Sequence, residues 1–362
     1  MAAVKFGGSS GGHGGAPTAT STSIPAPTVT SGVAPWTLRA PVDAEVVLAP
    51  IAAPAAGTAP ASSVLEVFGG STTGNRPASG IFTLDTTNGT LVHVANLTTV
   101  LADAAGAMVN GQAVIFGGDT PTPVATVQAF ANAGPVAGGA HTPVPTATVL
   151  GSLPEPRAGA GALTVGSTTY VIGGANGPTP DPSVLSTTDG KTFSVVGTLP
   201  VPVSFPSVAA VGTKLFVFGG QALSGTGSGQ PVTTVQMVDL TSHRTKVVGR
   251  LPAPLMGAAA VSLGGKVYIV GGETASTSSG SPTSVPASPG TTSAGQGTQT
   301  TGTIWAFDPA RLRFAPDGML QTPVSHAGVA VLGSTAWVVG GTSGGVPTSI
   351  VQSVTPASSP AR

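Results

Sequence analysis

The chain has 362 residues, with 13 Lys and Arg balanced by 13 Asp and Glu and only 7% charged residues. That excludes a nucleic-acid binder built on a basic patch and a polybasic membrane-surface protein, and no apolar run is long enough for a spanning helix. The absence of Cys excludes disulfides, thiolate nucleophiles and thiolate metal sites.

Residues 1–32 are Gly, Ser, Thr and Pro-rich, lack the apolar core of a secretory signal and read as a flexible leader. From there on, short apolar runs alternate with Gly, Pro, Ser and Thr, the punctuation of many short strands. Six runs end in a glycine pair. In chain order they are Leu65-Glu66-Val67-Phe68 before Gly69-Gly70, Ala113-Val114-Ile115-Phe116 before Gly117-Gly118, and Tyr170-Val171-Ile172 before Gly173-Gly174. Leu215-Phe216-Val217-Phe218 precedes Gly219-Gly220, Val267-Tyr268-Ile269-Val270 precedes Gly271-Gly272, and Ala336-Trp337-Val338-Val339 precedes Gly340-Gly341.

Each pair is preceded by a Leu at a turn. The interval is identical from Leu97 to Gly117, Leu153 to Gly173, Leu199 to Gly219, Leu251 to Gly271 and Leu320 to Gly340. In the first unit the interval from Leu38 to Gly69 is longer, and the excess reads as a loop inserted at 49–60. Each unit then holds a small-residue strand, the apolar strand, a third strand such as 304–308 and a fourth such as 193–196. Four antiparallel strands repeated at a period of about 50 residues make a propeller blade. The expected fold is all-β, a six-bladed β-propeller over 33–356. Small residues such as Ala158-Gly159-Ala160-Gly161-Ala162 face the crowded axis. The segment 273–302 is expected to be a disordered loop, and 357–362 a tail.

The last unit lacks a fourth strand. Residues 33–38 sit where one belongs, so the N-terminal strand is expected to complete the last blade and clasp the ring. A seventh blade starting from Phe6-Gly7-Gly8 would have no first strand.

The glycine pairs, the turns Leu153-Pro154-Glu155-Pro156, Leu199-Pro200-Val201-Pro202 and Leu251-Pro252-Ala253-Pro254, and Asp85, Asp239 and Asp308 in the third strands together resemble kelch repeats. The resemblance covers 33–356 and points to the galactose oxidase/kelch superfamily. The aromatic residues of that pattern are mostly replaced here by Leu, Val or Phe. It implies either a binding module or a channel-mouth enzyme. A crosslinked copper site of the galactose-oxidase kind would need the cysteine this chain lacks. A carbohydrate-active enzyme resembling sialic-acid mutarotase is the alternative function.

Alignment on the Leu landmarks brings Asp43, Glu45, Asp103, Arg157, Ser204, Phe205, Met256, Ser325 and His326 to the mouth of the central channel. Asp103 and His326 share one aligned position. With Arg157 they are the candidates for acid–base work. The five histidines have no metal-ligand spacing, so no metal and no cofactor are expected. Asp85, Asp239 and Asp308 are expected to fix turns rather than hold an ion. The favoured expectation is a monomeric, non-catalytic module on the cell surface or outside the cell. It would bind a protein or a glycan, without nucleic acid and without a membrane-spanning segment.

Overall fold

The computed structural model describes residues 29–34, 47–50, 63–72, 76–131, 146–223, 229–276 and 298–356. Those residues hold strands and no helix. They form six antiparallel sheets around one axis, each built from four main strands. Blade 2 shows the plan. Ala105–Val109 pairs with Gln112–Phe116, which pairs with Thr126–Phe130, which pairs with Thr148–Ser152. The first strand of each blade is innermost, and the six innermost strands touch in a closed circle. The second strand is buried along its length, as in Leu215–Phe218 at 0–1% exposure, because both faces of its sheet meet neighbouring blades. Apolar clusters fill the gaps between blades; the largest aromatic one joins Phe216, Phe218, Phe307 and Phe314 across blades 4 and 5.

The ring is closed by a strand from the N-terminal end, and its described part starts at Val29 rather than at Val33. Val29–Val33 pairs antiparallel with Val351–Pro356, with Val29 opposite Pro356 and Val33 opposite Gln352. The last bond is from the Ala34 N–H to the Val351 carbonyl. The landmark spacing thus placed the start of the strand a few positions late. Val29 is buried, the Ser31 hydroxyl donates to the Met319 carbonyl, and the Gln321 amide donates to the Ser31 carbonyl. Pro35, Trp36, Thr37 and Leu38, the leader before Val29 and the tail after Pro356 lie outside the described residues.

Two expected loops begin as strands. Val47–Pro50 is the innermost strand of blade 1, so the insertion there starts no earlier than residue 51. Residues 273–302 open and close as a two-stranded ribbon, Glu273–Ala275 with Thr298–Thr300, and 277–297 lie outside the described residues.

Turns between third and fourth strands lie at the end of the molecule opposite the glycine pairs. Asp239 Oδ1 accepts the N–H groups of Thr241 and Ser242, and Asp308 Oδ1 those of Ala310 and Arg311. Asp85 accepts from Thr87. Asp189 does the same for Lys191 and Thr192, although it stands outside the third strand. These bonds are made to the ionised carboxylate, and all four carboxyls are held below the usual Asp value of 3.8. The leading cause is the Thr192 N–H for Asp189, the Ser242 N–H for Asp239, the Thr87 hydroxyl for Asp85 and the Arg311 side chain for Asp308. A carboxyl depressed in the folded state stabilises it above its unfolded value and loses that contribution as pH falls through the folded value. The denaturant midpoint should therefore hold steady above about pH 5 and decline below about pH 4. A variant with Asn at all four positions should show a shallower acid decline; an identical profile would refute this role.

Candidate binding site at the channel mouth

Two sets of connections gather at the other end of the channel. One is the turn leading from the fourth strand of a blade into the first strand of the next, beginning at the landmark Leu. The other is the loop from second to third strand, beginning at the glycine pair. Counted from Leu, the fourth, fifth and sixth residues of the turn each have a fixed task.

The carbonyl of the fourth residue is held by the preceding blade. The N–H of Gly70 donates to Leu101 O at 3.1 Å, Gly118 to Arg157 O at 2.9 Å, Gly174 to Val203 O at 3.0 Å, Gly220 to Leu255 O at 2.8 Å and Gly272 to Val324 O at 2.9 Å. The fifth residue pairs both ways with the residue after the glycine pair of its own blade: Ala102 with Asp119, Ala158 with Ala175, Ser204 with Gln221, Met256 with Glu273, and Ser325 with Thr342. This geometry is why two glycines recur. Gly220 has φ +96°, and a Cβ there would sit 2.8 Å from the Ser204 carbonyl oxygen; one on Gly219 would run into the Leu255 carbonyl. The constant interval from Leu to glycine pair spans these fixed contacts.

The sixth residues form a hoop of backbone hydrogen bonds around the axis. Gly159 N–H donates to Asp103 O at 2.7 Å, Phe205 to Gly159 O at 2.6 Å, Gly257 to Phe205 O at 3.0 Å and His326 to Gly257 O at 2.7 Å. All five have left-handed φ, between +51° and +62°. Three of them carry side chains at a cost that glycine does not bear.

Even blades supply the side chains Asp103, Phe205 and His326, while blades 3 and 5 supply Gly159 and Gly257. The glycines make room. A Cβ on Gly159 would lie 2.8 Å from the Phe205 ring, and one on Gly257 would lie 2.6 Å from His326 Nε2. Each ring therefore leans back over the preceding glycine, and the two rings meet edge to face with centroids 4.8 Å apart. The same two-blade period recurs in the third strands. Gln128, Gln236 and Gln352 are buried in blades 2, 4 and 6 and bond the lead-in turns at Thr98, Val201 and Thr322. Phe82, Leu185 and Trp305 stand at the matching positions of the odd blades.

Asp103, Phe205 and His326 are thus brought together, lining a cavity of about 160 Å³ beside the hoop. Beneath it the channel, about 610 Å³, is walled by residues such as Ala104, Gly106, Ala162, Ala210 and Ala260. Met256 and Ser204 serve the fifth-position pairing and do not line the smaller cavity. Asp43 and Glu45 lie outside the described residues.

Arg157 is a correction. It occupies the fourth position, which packs into the apolar clusters between adjacent blades and is filled elsewhere by the buried Leu101, Val203, Leu255 and Val324. Its side chain is 1% exposed. Nη1 donates to the Gly173 carbonyl at 3.0 Å, and Nη2 to Asp181 Oδ2 at 2.7 Å and Ser183 Oγ at 3.0 Å. Burial lowers its pKa from the usual 12.5, with Asp181 opposing. The side chain braces blade 3 and does not reach the mouth.

Glu273 and Asp119 were missed in the sequence. The signal was the residue after each glycine pair, which runs Ser71, Asp119, Ala175, Gln221, Glu273 and Thr342. Glu273 Oε1 accepts from Ser325 Oγ at 2.8 Å and lies 3.7 Å from His326 Nε2, while Oε2 accepts from Thr298 Oγ1 at 2.8 Å. The Ser325 hydroxyl also meets Thr342 Oγ1 at 2.8 Å, so it is bonded to these oxygens in a way that does not fit a His-activated nucleophile. Burial, and then the charge of Asp103, push the Asp119 carboxyl above 3.8. Among the described residues no three His, Cys, Asp or Glu converge as a metal site would need.

The structure of a protein called YjhT superposes with a TM-score of 0.65 at 14% identity, over 88% of this chain and 95% of that one. At that identity the likeness concerns the fold. No curated protein matches the sequence. The family model described as the KLHDC2/KLHL20/DRC7 Kelch-repeats domain matches residues 104–341, well over half of the chain. The glycine pairs, the repeated lead-in turns and this match together show that the chain belongs to the kelch-repeat family.

Proposed function

We propose that the chain is a non-catalytic kelch propeller that binds a protein partner through the loop face around the channel mouth. One observation carries the reading. The loops from second to third strand rise on that face as short β-ribbons, including Ala175–Asn176 with Thr179–Pro180, Gln221–Leu223 with the start of Gly229–Asp239, Glu273–Ala275 with Thr298–Thr300, and Thr342–Ser343 with Val346–Pro347. They surround a mouth where Arg157 is turned inward. Loops that vary on a rigid scaffold are where repeat propellers place recognition. The sugar-enzyme reading has the His326–Glu273 contact in its favour, but no Lys or Arg is among the described residues lining the mouth cavity to hold an anionic sugar.

Peptides should be selected from a random library on the full chain and their footprints mapped by hydrogen exchange. Protection is expected in the ribbons at 221–223, 273–275 and 342–343 and in the hoop. Protection confined to the Asp-capped turns at the opposite end would overturn the reading. Anomer exchange of N-acetylneuraminic acid, followed by NMR, separates the alternative. Acceleration by the chain that is lost in His326→Gln would establish an enzyme, and no acceleration would remove it.

A further inference from the structure

Asp103 stands apart at the mouth. The Glu273 carboxylate is met by Ser325, Thr298 and His326, whereas among the described residues no hydrogen bond or ion pair reaches the Asp103 carboxylate. It is half-buried and lines the cavity. Its neighbour in charge is another acid, Asp119, whose Oδ1 is buried without a hydrogen-bond partner. No Lys or Arg is among the described residues lining the cavity. Among the described residues nothing offsets the negative charge of Asp103, in a place only partly open to water where such charge is costly.

The wall opposite is aromatic. Because Gly159 has no side chain, the Phe205 ring leans over it toward the blade that carries Asp103. The His326 ring abuts Phe205 edge to face. Leu97, Leu101 and Phe68 line the cavity as well. A carboxylate facing aromatic rings and aliphatic walls suits an organic cation: the charge is met by the carboxylate and the flat or aliphatic part by the rings. About 160 Å³ admits an ammonium or guanidinium head with its adjoining methylenes.

We infer that the mouth cavity, with Asp103 as its anion and Phe205 and His326 as its wall, receives the basic side chain, Lys or Arg, of a protein partner. The inference rests on the protein-binding reading and names the chemistry of what that partner inserts.

The test uses the full chain. Methylguanidinium chloride is titrated at low ionic strength, with sodium chloride as the matched control, and amide chemical shifts are followed. Saturable shifts centred on Asp103, Gly159, Phe205 and His326 are expected, with affinity at least fivefold weaker in Asp103→Asn. Asn accepts left-handed backbone readily, so the substitution removes charge while keeping the hoop. Shifts that do not saturate, or that are equal in Asp103→Asn, overturn the inference. Among the selected peptides, those that protect the hoop should be enriched in Lys or Arg and should lose binding to Asp103→Asn. Mouth-binding peptides without that enrichment would overturn the inference and leave the protein-binding reading standing. Saturable methylguanidinium binding with no mouth-binding peptide would assign the cavity to a free organic cation and overturn the protein source.

Discussion

Replacing Asp181 by Ala is expected to destabilise the protein by about 3–5 kcal/mol, the range for removing one partner of a buried ion pair. The cause is the partner left behind. Arg157 is 1% exposed, and without Asp181 its guanidinium keeps only the Gly173 carbonyl and the Ser183 hydroxyl as acceptors. Its Nε already lacks a partner. Arg157→Leu should behave differently. Four other blades fill the same position with Leu101, Val203, Leu255 and Val324, so the pocket accepts an aliphatic chain. The Asp181 carboxylate would keep the Ser183 N–H at 2.7 Å and some contact with water. A change within about 1.5 kcal/mol is expected there. Denaturant unfolding of the two variants checks this. Equal destabilisation would show that the charge pair is not what blade 3 depends on, and that the loss is one of packing.

Truncation at the N-terminal end should produce a still larger contrast within a short stretch of chain. Removing residues 1–28 leaves Val29–Val33 paired with Val351–Pro356, and the melting midpoint should stay where it is. Removing 1–34 takes away the whole ladder from Val29 to Val33 and the buried Val29 side chain. At about 1 kcal/mol per hydrogen bond, the loss of the ladder alone is about 5 kcal/mol. It also exposes the long edge of the third strand of blade 6, an invitation to aggregation. Light scattering during the melt should rise for the second truncation only. Coincident melts would refute the clasp.

The repeat could be read from the chain because its spacing is imposed by contacts that do not vary. Both glycines of a pair touch backbone, as Gly219 and Gly220 show against Leu255 and Ser204. No other residue can relieve such a contact, so the pair persists where aromatic positions drift. Apolar second strands persist for the same reason, since neighbouring blades cover both faces. The clasp was legible as a need, an unpaired third strand, but its register was not. Residues 29–33 carry little hydrophobic pattern, and only pairing with 351–356 selects them.

The site was legible in part. Alignment on the Leu landmarks put Asp103 and His326 on one aligned position and Phe205 at the same entrance, and in the structure backbone bonds through Gly159 and Gly257 link the three. The direction of each side chain was not legible. Arg157 stands two residues before Gly159 in the same turn, yet its side chain is spent on Gly173, Asp181 and Ser183 of its own blade. The role of Glu273 depends on Ser325, 52 residues away in the sequence and 2.8 Å away in space.

What the amino-acid sequence by itself determined is the number of blades, the strand plan and the axial end where the turns collect. These follow from local sterics repeated at a fixed interval: glycine where backbone meets backbone, apolar strands where sheets stack. What only the tertiary structure decided is which groups share the mouth and how they face. That depends on distances between blades, where a ring leaning over a missing side chain or a guanidinium turned inward is settled by neighbours far away in the chain.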